Sequence, residues 1–292
     1  MRAIKENAWG KINLYLDVTD KRPDGYHSIR SIMHAIDLSD VITVSTADAR
    51  STDIRLFVSG ADILPTGNKN LAYRAAELYL FRAGITAKIR INIEKRIPVS
   101  AGLAGGSTDA AATLRALNRL YGHFTDRALI ELSSELGSDV PFCLVGGTAL
   151  CEGRGEIITR LPEPKKGYFV IAISDEHVST PWAYGALDSL YSNFDGTKPT
   201  SSKDELIRQS ESIEKGVIDP SALYNVFEEA ILPDFSGARE IKARLAALGA
   251  DAALMSGSGP SVFGLFTSAE KAALAKEALE AEGIRAYTAI SV

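Results

Sequence analysis

From Pro98 to Ala112 the chain reads Pro-Val-Ser-Ala-Gly-Leu-Ala-Gly-Gly-Ser-Thr-Asp-Ala-Ala-Ala. Glycines let backbone amides come close to a ligand, and a helix start adds positive potential. A glycine-rich loop that opens a helix therefore suits a phosphate. Its spacing excludes two familiar phosphate loops. No Lys-Ser or Lys-Thr pair follows the last glycine, as a Walker A sequence requires. Gly102, Gly105 and Gly106 do not fit the G-x-G-x-x-G of dinucleotide-binding folds. Ser107, Thr108 and Asp109 stand where a side chain could cap the following helix. The bland alternative is a glycine turn in front of a packed helix.

Other clusters carry chemistry-bearing types. In Gly10-Lys11-Ile12-Asn13, Lys11 opens a strand otherwise committed to burial. It is either a snorkelling edge residue or a cation for a phosphate or for a hydroxyl that must lose its proton. Arg22-Pro-Asp-Gly-Tyr-His27 is either a β-turn with an aromatic packed behind it or a turn that presents Tyr26 and His27 to a planar heterocycle. Asp139 leaves a helix-ending Gly137 and precedes Val-Pro-Phe. It is solvated, caps the next segment, or serves as a general base. Met255-Ser-Gly-Ser-Gly-Pro-Ser261 is a tight hairpin or a second clasp on a phosphate chain.

Local patterns supply the elements that position these residues. Ile89, Ile91 and Ile93 alternate with polar residues ahead of the loop, as in a half-buried strand. Further strands are expected over 12–18, 41–46, 53–58, 146–153 and 168–173. Asn70 should cap a helix from Leu71 to Ala83, closed by Gly84. Helices are also expected after the loop and over 126–136, 203–215, 222–232 and 237–248. The tail reads strand 252–255, turn, strand 261–266, helix 269–282 and strand 284–290, half of a ferredoxin-like α+β sandwich. Leu161-Pro-Glu-Pro-Lys-Lys-Gly167 reads as a domain boundary, and Ser192–Ser202 as a mobile surface loop.

The chain has 292 residues, 46% hydrophobic and 24% charged, enough for two globular domains. A net charge of −5 argues against general nucleic-acid binding, which wants a basic face. No apolar run reaches membrane length, and the first residues do not read as a leader peptide. Cys143 and Cys151 lie among apolar residues and read as buried reduced thiols, not a disulfide framework or a zinc site. The four histidines have no paired-ligand spacing, so no transition metal is expected.

Together these segments resemble the GHMP small-molecule kinases. Pro98–Ala112 is similar to their phosphate loop. Gly10–Leu14, Arg22–His27, Gly137-Ser-Asp-Val-Pro141 and Ser256–Ser261 follow in the order of one branch, whose acceptor carries a cytidine diphosphate. Arg-Pro-Asp-Gly-Tyr-His is the specific part, and the resemblance covers nearly the whole chain. Departures are few. Gly10 stands where Ala is common, Ala104 where Gly is common, and Thr108 keeps the hydroxyl of a common Ser.

The resemblance implies an α+β fold of two domains. Residues 1–162 would form an ATP-binding domain like the second domain of ribosomal protein S5, and 163–292 a ferredoxin-like sandwich, with a substrate cleft between them. It implies ATP and Mg2+, transfer to a tertiary hydroxyl in non-mevalonate isoprenoid synthesis, a cytoplasmic location, and a monomer or weak homodimer without nucleic-acid or membrane partners. Asp139 matches a general base and Lys11 its lysine. Asn70, Lys95, Pro98, Ser100, Ala101, Gly102, Leu103, Ala104, Gly105, Gly106, Ser107 and Thr108 match ATP contacts. Tyr26 and Tyr184 match rings that sandwich a cytosine, His27 reads its edge, and Asn13 and Thr180 touch the polyol or phosphates. No protein ligand for Mg2+ is implied. Two alternatives stand beside this: a GHMP kinase for another small alcohol such as mevalonate or homoserine, and a non-catalytic nucleotide sensor.

Overall fold

Alternating and β-branched residues dominate the first sixty positions, and there the chain forms strands. The computed structural model describes residues 2–61, 64–191 and 203–292. Its elements are β1 (Arg2–Lys21), β2 (His27–Asp48), β3 (Asp53–Ser59), α1 (Leu71–Ala83), β4 (Ala87–Glu94), α2 (Gly105–Tyr121), α3 (Asp126–Ser133), α4 (Val140–Val145), β5 (Thr148–Gly153) and β6 (Ile157–Arg160). Then come β7 (Tyr168–Ile173), α5 (Thr180–Leu190), α6 (Lys203–Glu214), β8 (Tyr224–Asn225), α7 (Phe227–Ile231), α8 (Ser236–Ala247), β9 (Ala252–Met255), β10 (Val262–Phe266), α9 (Ala269–Ala281) and β11 (Arg285–Ile290). The surface loop expected over 192–202 lies outside the described residues.

The chain divides into two compact units that interleave along the sequence. Met1–Gly10, Ser39–Val99 and Ala104–Gly146 make the first; Lys11–Leu38, Ser100–Leu103 and Gly147–Val292 make the second. This differs from the single cut expected after residue 162. β1 and β2 are 20 and 22 residues long, and each contributes one part to each unit. A proline- and charge-rich stretch marks exposed chain, and that is not enough to mark a boundary.

In the first unit, β2 pairs antiparallel with β4 (Ile42↔Ile93) and β4 pairs parallel with β3 (Leu56↔Ile91). The isoleucines of β4 are buried and its charged residues exposed, as the alternation requires. α1 packs on α2. As expected, Asn70 Oδ1 accepts from Ala72 N at 2.9 Å, and Gly84 closes α1 at φ 65°. The expected side-chain cap on α2 is absent. Ala104 occupies the cap position, α2 starts at Gly105, and Ser107, Thr108 and Asp109 lie inside the helix. The helix expected over 126–136 stops at Ser133, where Ser133 Oγ and Ser134 Oγ donate back to the carbonyls of Ile130 and Glu131.

The second unit carries the strand order β6-β5-β2-β1-β8 and a separate sheet, β11-β7-β10-β9. Val170, Ala172, Ile241, Leu245, Val262, Phe266 and Leu279 pack α8 and α9 onto that second sheet, the expected α+β sandwich. The helix expected over 222–232 is instead a 3₁₀ turn (Pro220–Ala222), β8 and the five-residue α7. Asn225 breaks it: its Oδ1 accepts from Phe227 N while its Nδ2 reaches distant carbonyls.

Candidate active site

In the first unit, α2 starts from Ala104 at φ 59°, a left-handed conformation that glycine adopts without penalty. Position 104 is also where the GHMP resemblance has a common glycine. Ala104 has no side chain able to cap, so α2 opens without a side-chain cap. Uncapped amides at a helix start are an anion site. Thr108 Oγ1 donates to Gly105 O; Gly105, Gly106 and Ser107 form the first turn of α2, and Pro98 lies in the chain that leads into the loop.

Lys95 is buried, and its ammonium pairs with Asp40 and, at 2.9 Å, with Asp109. Asp40 Oδ1 also accepts from Arg96 N and Ile97 N at 2.6 and 2.9 Å. The chain entering the loop, the end of β4 and the first turns of α2 are thus tied together. The Lys95 side chain points into this cluster, so it is the loop's support. Burial pushes the Asp109 carboxyl up to about 8, opposed by Lys95 and reinforced by Asp40.

Asp139 stands at the cap position of α4, yet its carboxylate makes no capping hydrogen bond. Only its backbone carbonyl is used, by Cys143 N. The carboxylate therefore does not cap α4; it is half-buried, which suits a solvated acid as well as a proton acceptor.

In the second unit, Lys11 is 4% exposed and donates to Asn13 Oδ1 at 2.7 Å. It is not a snorkelling edge residue, and it pairs with no carboxylate among the described residues. Asn13 Oδ1 also accepts from Gly257 N at 3.1 Å, and Asn13 Nδ2 donates to Ser31. Lys11 Nζ lies close to Gly257, where an added Cβ would sit 3.6 Å from it. Lys11 N reaches Leu103 O at 3.2 Å. The two glycine-rich segments meet here. Ser256 Oγ donates to Gly102 O and Ser261 Oγ to Ala101 O. Gly102 is at φ 68°, and a Cβ there would run into Ser256 O, so glycine is required. Asn225 Nδ2 holds the same turn through Met255 O and Gly257 O, and Thr180 Oγ1 meets Ser258 Oγ at 3.1 Å.

His27 and Tyr184 stack at 4.7 Å between centroids, and His27 Nε2 lies 2.7 Å from Asp188 Oδ1. Lys21 Nζ pairs with the other Asp188 oxygen at 2.5 Å. Burial would raise the Asp188 carboxyl, but the Lys21 and His27 hydrogen bonds override it and hold it low. Tyr26 is 56% exposed and carries the Arg154 guanidinium over its ring at 5.1 Å. The structure therefore brings His27 to Tyr184, while Tyr26 faces Arg154. Cys143 and Cys151 are buried, as expected.

Comparison with known proteins decides among the readings. The N-terminal domain of GHMP kinases matches residues 70–147, and the GHMP kinase C-terminal domain matches residues 221–285. A 4-diphosphocytidyl-2-C-methyl-D-erythritol kinase of Caldicellulosiruptor saccharolyticus is 44% identical, covering 94% of this chain and 91% of its own. One from Gloeobacter violaceus is 41% identical, covering 91% and 86%. The chain belongs to the GHMP kinase family, in its 4-diphosphocytidyl-2-C-methyl-D-erythritol kinase branch. It is a small-molecule kinase. A crystal structure of a 4-(cytidine 5'-diphospho)-2C-methyl-D-erythritol kinase superposes with a TM-score of 0.80 at 34% identity, covering 99% of this chain and all of the other. A homoserine kinase from Cytophaga hutchinsonii shares the fold, with a TM-score of 0.72 at 22% identity over 100% of this chain and 95% of its own.

For a GHMP kinase of this branch, the motif residues come with partners that the sequence reading missed. Asp40 had only a Ser-Asp step inside a β-run to mark it. Asn225 and Asp188 sit where no motif is legible. Each acts on a motif residue across at least 30 positions of chain.

Proposed function

We propose that the protein transfers the γ-phosphate of ATP to the 2-hydroxyl of 4-diphosphocytidyl-2-C-methyl-D-erythritol, a step of non-mevalonate isoprenoid synthesis in the cytoplasm. The observation that carries the catalytic part is Lys11: a buried ammonium held by Asn13, without a carboxylate partner among the described residues. Phosphoryl transfer asks the protein for positioning, charge stabilisation and a proton acceptor. Asp139, open on its side chain, takes the hydroxyl proton; Lys11 steadies the charge that develops. The α2 start receives the phosphates. The substrate follows from relatives so named, supported by His27, Tyr184 and Tyr26, which suit a cytosine and have no use for an aliphatic acceptor.

Magnesium accompanies the nucleotide in this chemistry. Among the described residues no group of three or more His, Cys, Asp or Glu could hold a metal. That fits a Mg2+ held mainly by phosphates and water. No helix among the described residues is long and apolar enough to cross a membrane.

The test is turnover by 31P NMR with ATP and, in turn, the cytidyl substrate, mevalonate and homoserine. Phosphorylation of the cytidyl substrate alone is expected, and Asp139→Asn should lower kcat about 10²- to 10⁴-fold while ATP still binds. Faster turnover of mevalonate or homoserine would replace the substrate; near-normal kcat in Asp139→Asn would remove the base.

A further inference from the structure

The Asp40–Lys95–Asp109 cluster takes no part in the steps above, and its charges do not balance. One buried ammonium faces two carboxyl groups. Asp40 accepts on both oxygens, from two backbone amides and Lys95. Asp109 does not. Its Oδ2 accepts from Lys95 Nζ, whereas its Oδ1 is buried without a hydrogen-bond partner among the described residues. A carboxylate oxygen with neither water nor donor is what a low-dielectric interior disfavours. One proton on Asp109 removes the excess charge beside Asp40.

We propose that Asp109 is the neutral, proton-bearing member of a positioning cluster that holds the start of α2 for a nucleotide's phosphates, with Lys95 and Asp40 as its ion pair. This rests on the nucleotide-binding reading above and deepens it. Asp109 acts through others. Lys95 Nζ lies 3.3 Å from where a Cβ on Gly105 would be, directly behind the first residue of α2. Arg96 N and Ile97 N fix the chain that enters the loop. An ionised Asp109 would add negative charge behind the helix start and oppose the potential that attracts phosphate.

The charges acting on Asp109 are Lys95, just beyond β4, and Asp40, in β2. α1 and α4, which pack on α2, contribute none of the charges that act on Asp109. β1 brings Glu6, paired with Arg115 and Arg119 farther along α2. The carboxyl is pushed up to about 8. The folded protein thus keeps a proton that an unfolded aspartate loses near pH 4. Stability from this group is full below that pH and is given up as pH rises through about 8.

The experiment is ADP binding by calorimetry from pH 6.5 to 9.5, for wild type, Asp109→Asn and Asp109→Leu, with melting temperatures in parallel. Asn keeps the shape and neutrality of the protonated acid; Leu keeps only volume. Wild-type affinity should fall about fivefold or more across the range, as charge appears behind the helix start. Asp109→Asn should bind within about threefold of wild type at pH 7 and vary less than about twofold with pH, whereas Asp109→Leu should bind about tenfold weaker throughout. The melting temperature of Asp109→Asn should gain on wild type as pH rises from 5 to 8. Parallel pH courses for wild type and Asp109→Asn, or a tenfold loss in Asp109→Asn at pH 7, would overturn the proposal. If Asp109→Leu fails to fold, the comparison of wild type with Asp109→Asn decides alone. A wild type that binds no ADP at any pH overturns the nucleotide reading and the proposal together, whereas ADP binding with parallel pH courses overturns the proposal only.

Discussion

Lys95 and Lys11 are buried to a similar degree, at 8% and 4% exposure, in opposite electrostatic settings. Lys95 has two carboxyl partners, Asp40 and Asp109. Lys11 has the amide oxygen of Asn13 and no carboxylate among the described residues. Taking an ammonium out of water costs several kcal/mol, and a carboxylate at good geometry offsets much of that. Lys95 recovers the cost inside the fold. Lys11 does not recover it from a carboxylate among the described residues. In the function proposed above, the difference separates a lysine that builds the glycine loop from one that serves the phosphate.

The contrast can be broken from either side. Lys95→Met strands two buried carboxyl groups, and urea unfolding should show a loss of about 3–5 kcal/mol. A loss below about 1 kcal/mol would mean that the cluster does not support the loop. On the other side, Gly102→Ala forces a Cβ against Ser256 O at a positive φ. It should cost about 2–3 kcal/mol and weaken ATP binding. Wild-type stability in Gly102→Ala would show that the two glycine segments are not locked together. Asn225→Ala frees Met255 O and Gly257 O, and a smaller loss of about 1–2 kcal/mol is expected, with KM for ATP rising more than kcat falls. The smallest effect goes the other way. Ala104→Gly relieves a left-handed alanine and should raise stability by about 0.5–1 kcal/mol, read from the urea midpoint.

What was legible in the sequence was local. The Asn70 cap, the Gly84 stop, the alternation of Ile89, Ile91 and Ile93, and the β9–turn–β10 hairpin are each set by a few adjacent residues. The glycine loop and the cluster around Lys11 were legible because their residue types are unusual for their positions. The unread parts are long-range. Asp40 meets Lys95 across 55 positions, and Asn225 meets Gly257 across 32. Lys95, read as an adenosine contact, has its ammonium turned into the ion-pair cluster. The interleaved units follow from two strands long enough to contribute to both, which no linker signal reveals. The family resemblance pairs Tyr184 with Tyr26; the fold gives it His27 as a neighbour.

The most direct test of the contrast is Lys11→Met, measured for stability and turnover in one preparation. The variant should be as stable as wild type or more stable, since a costly buried charge is gone, while turnover of ATP with the cytidyl substrate falls about 10³-fold or more. A Lys11→Met protein that is destabilised by about 3 kcal/mol yet retains turnover would make Lys11 a second structural lysine and contradict the distinction.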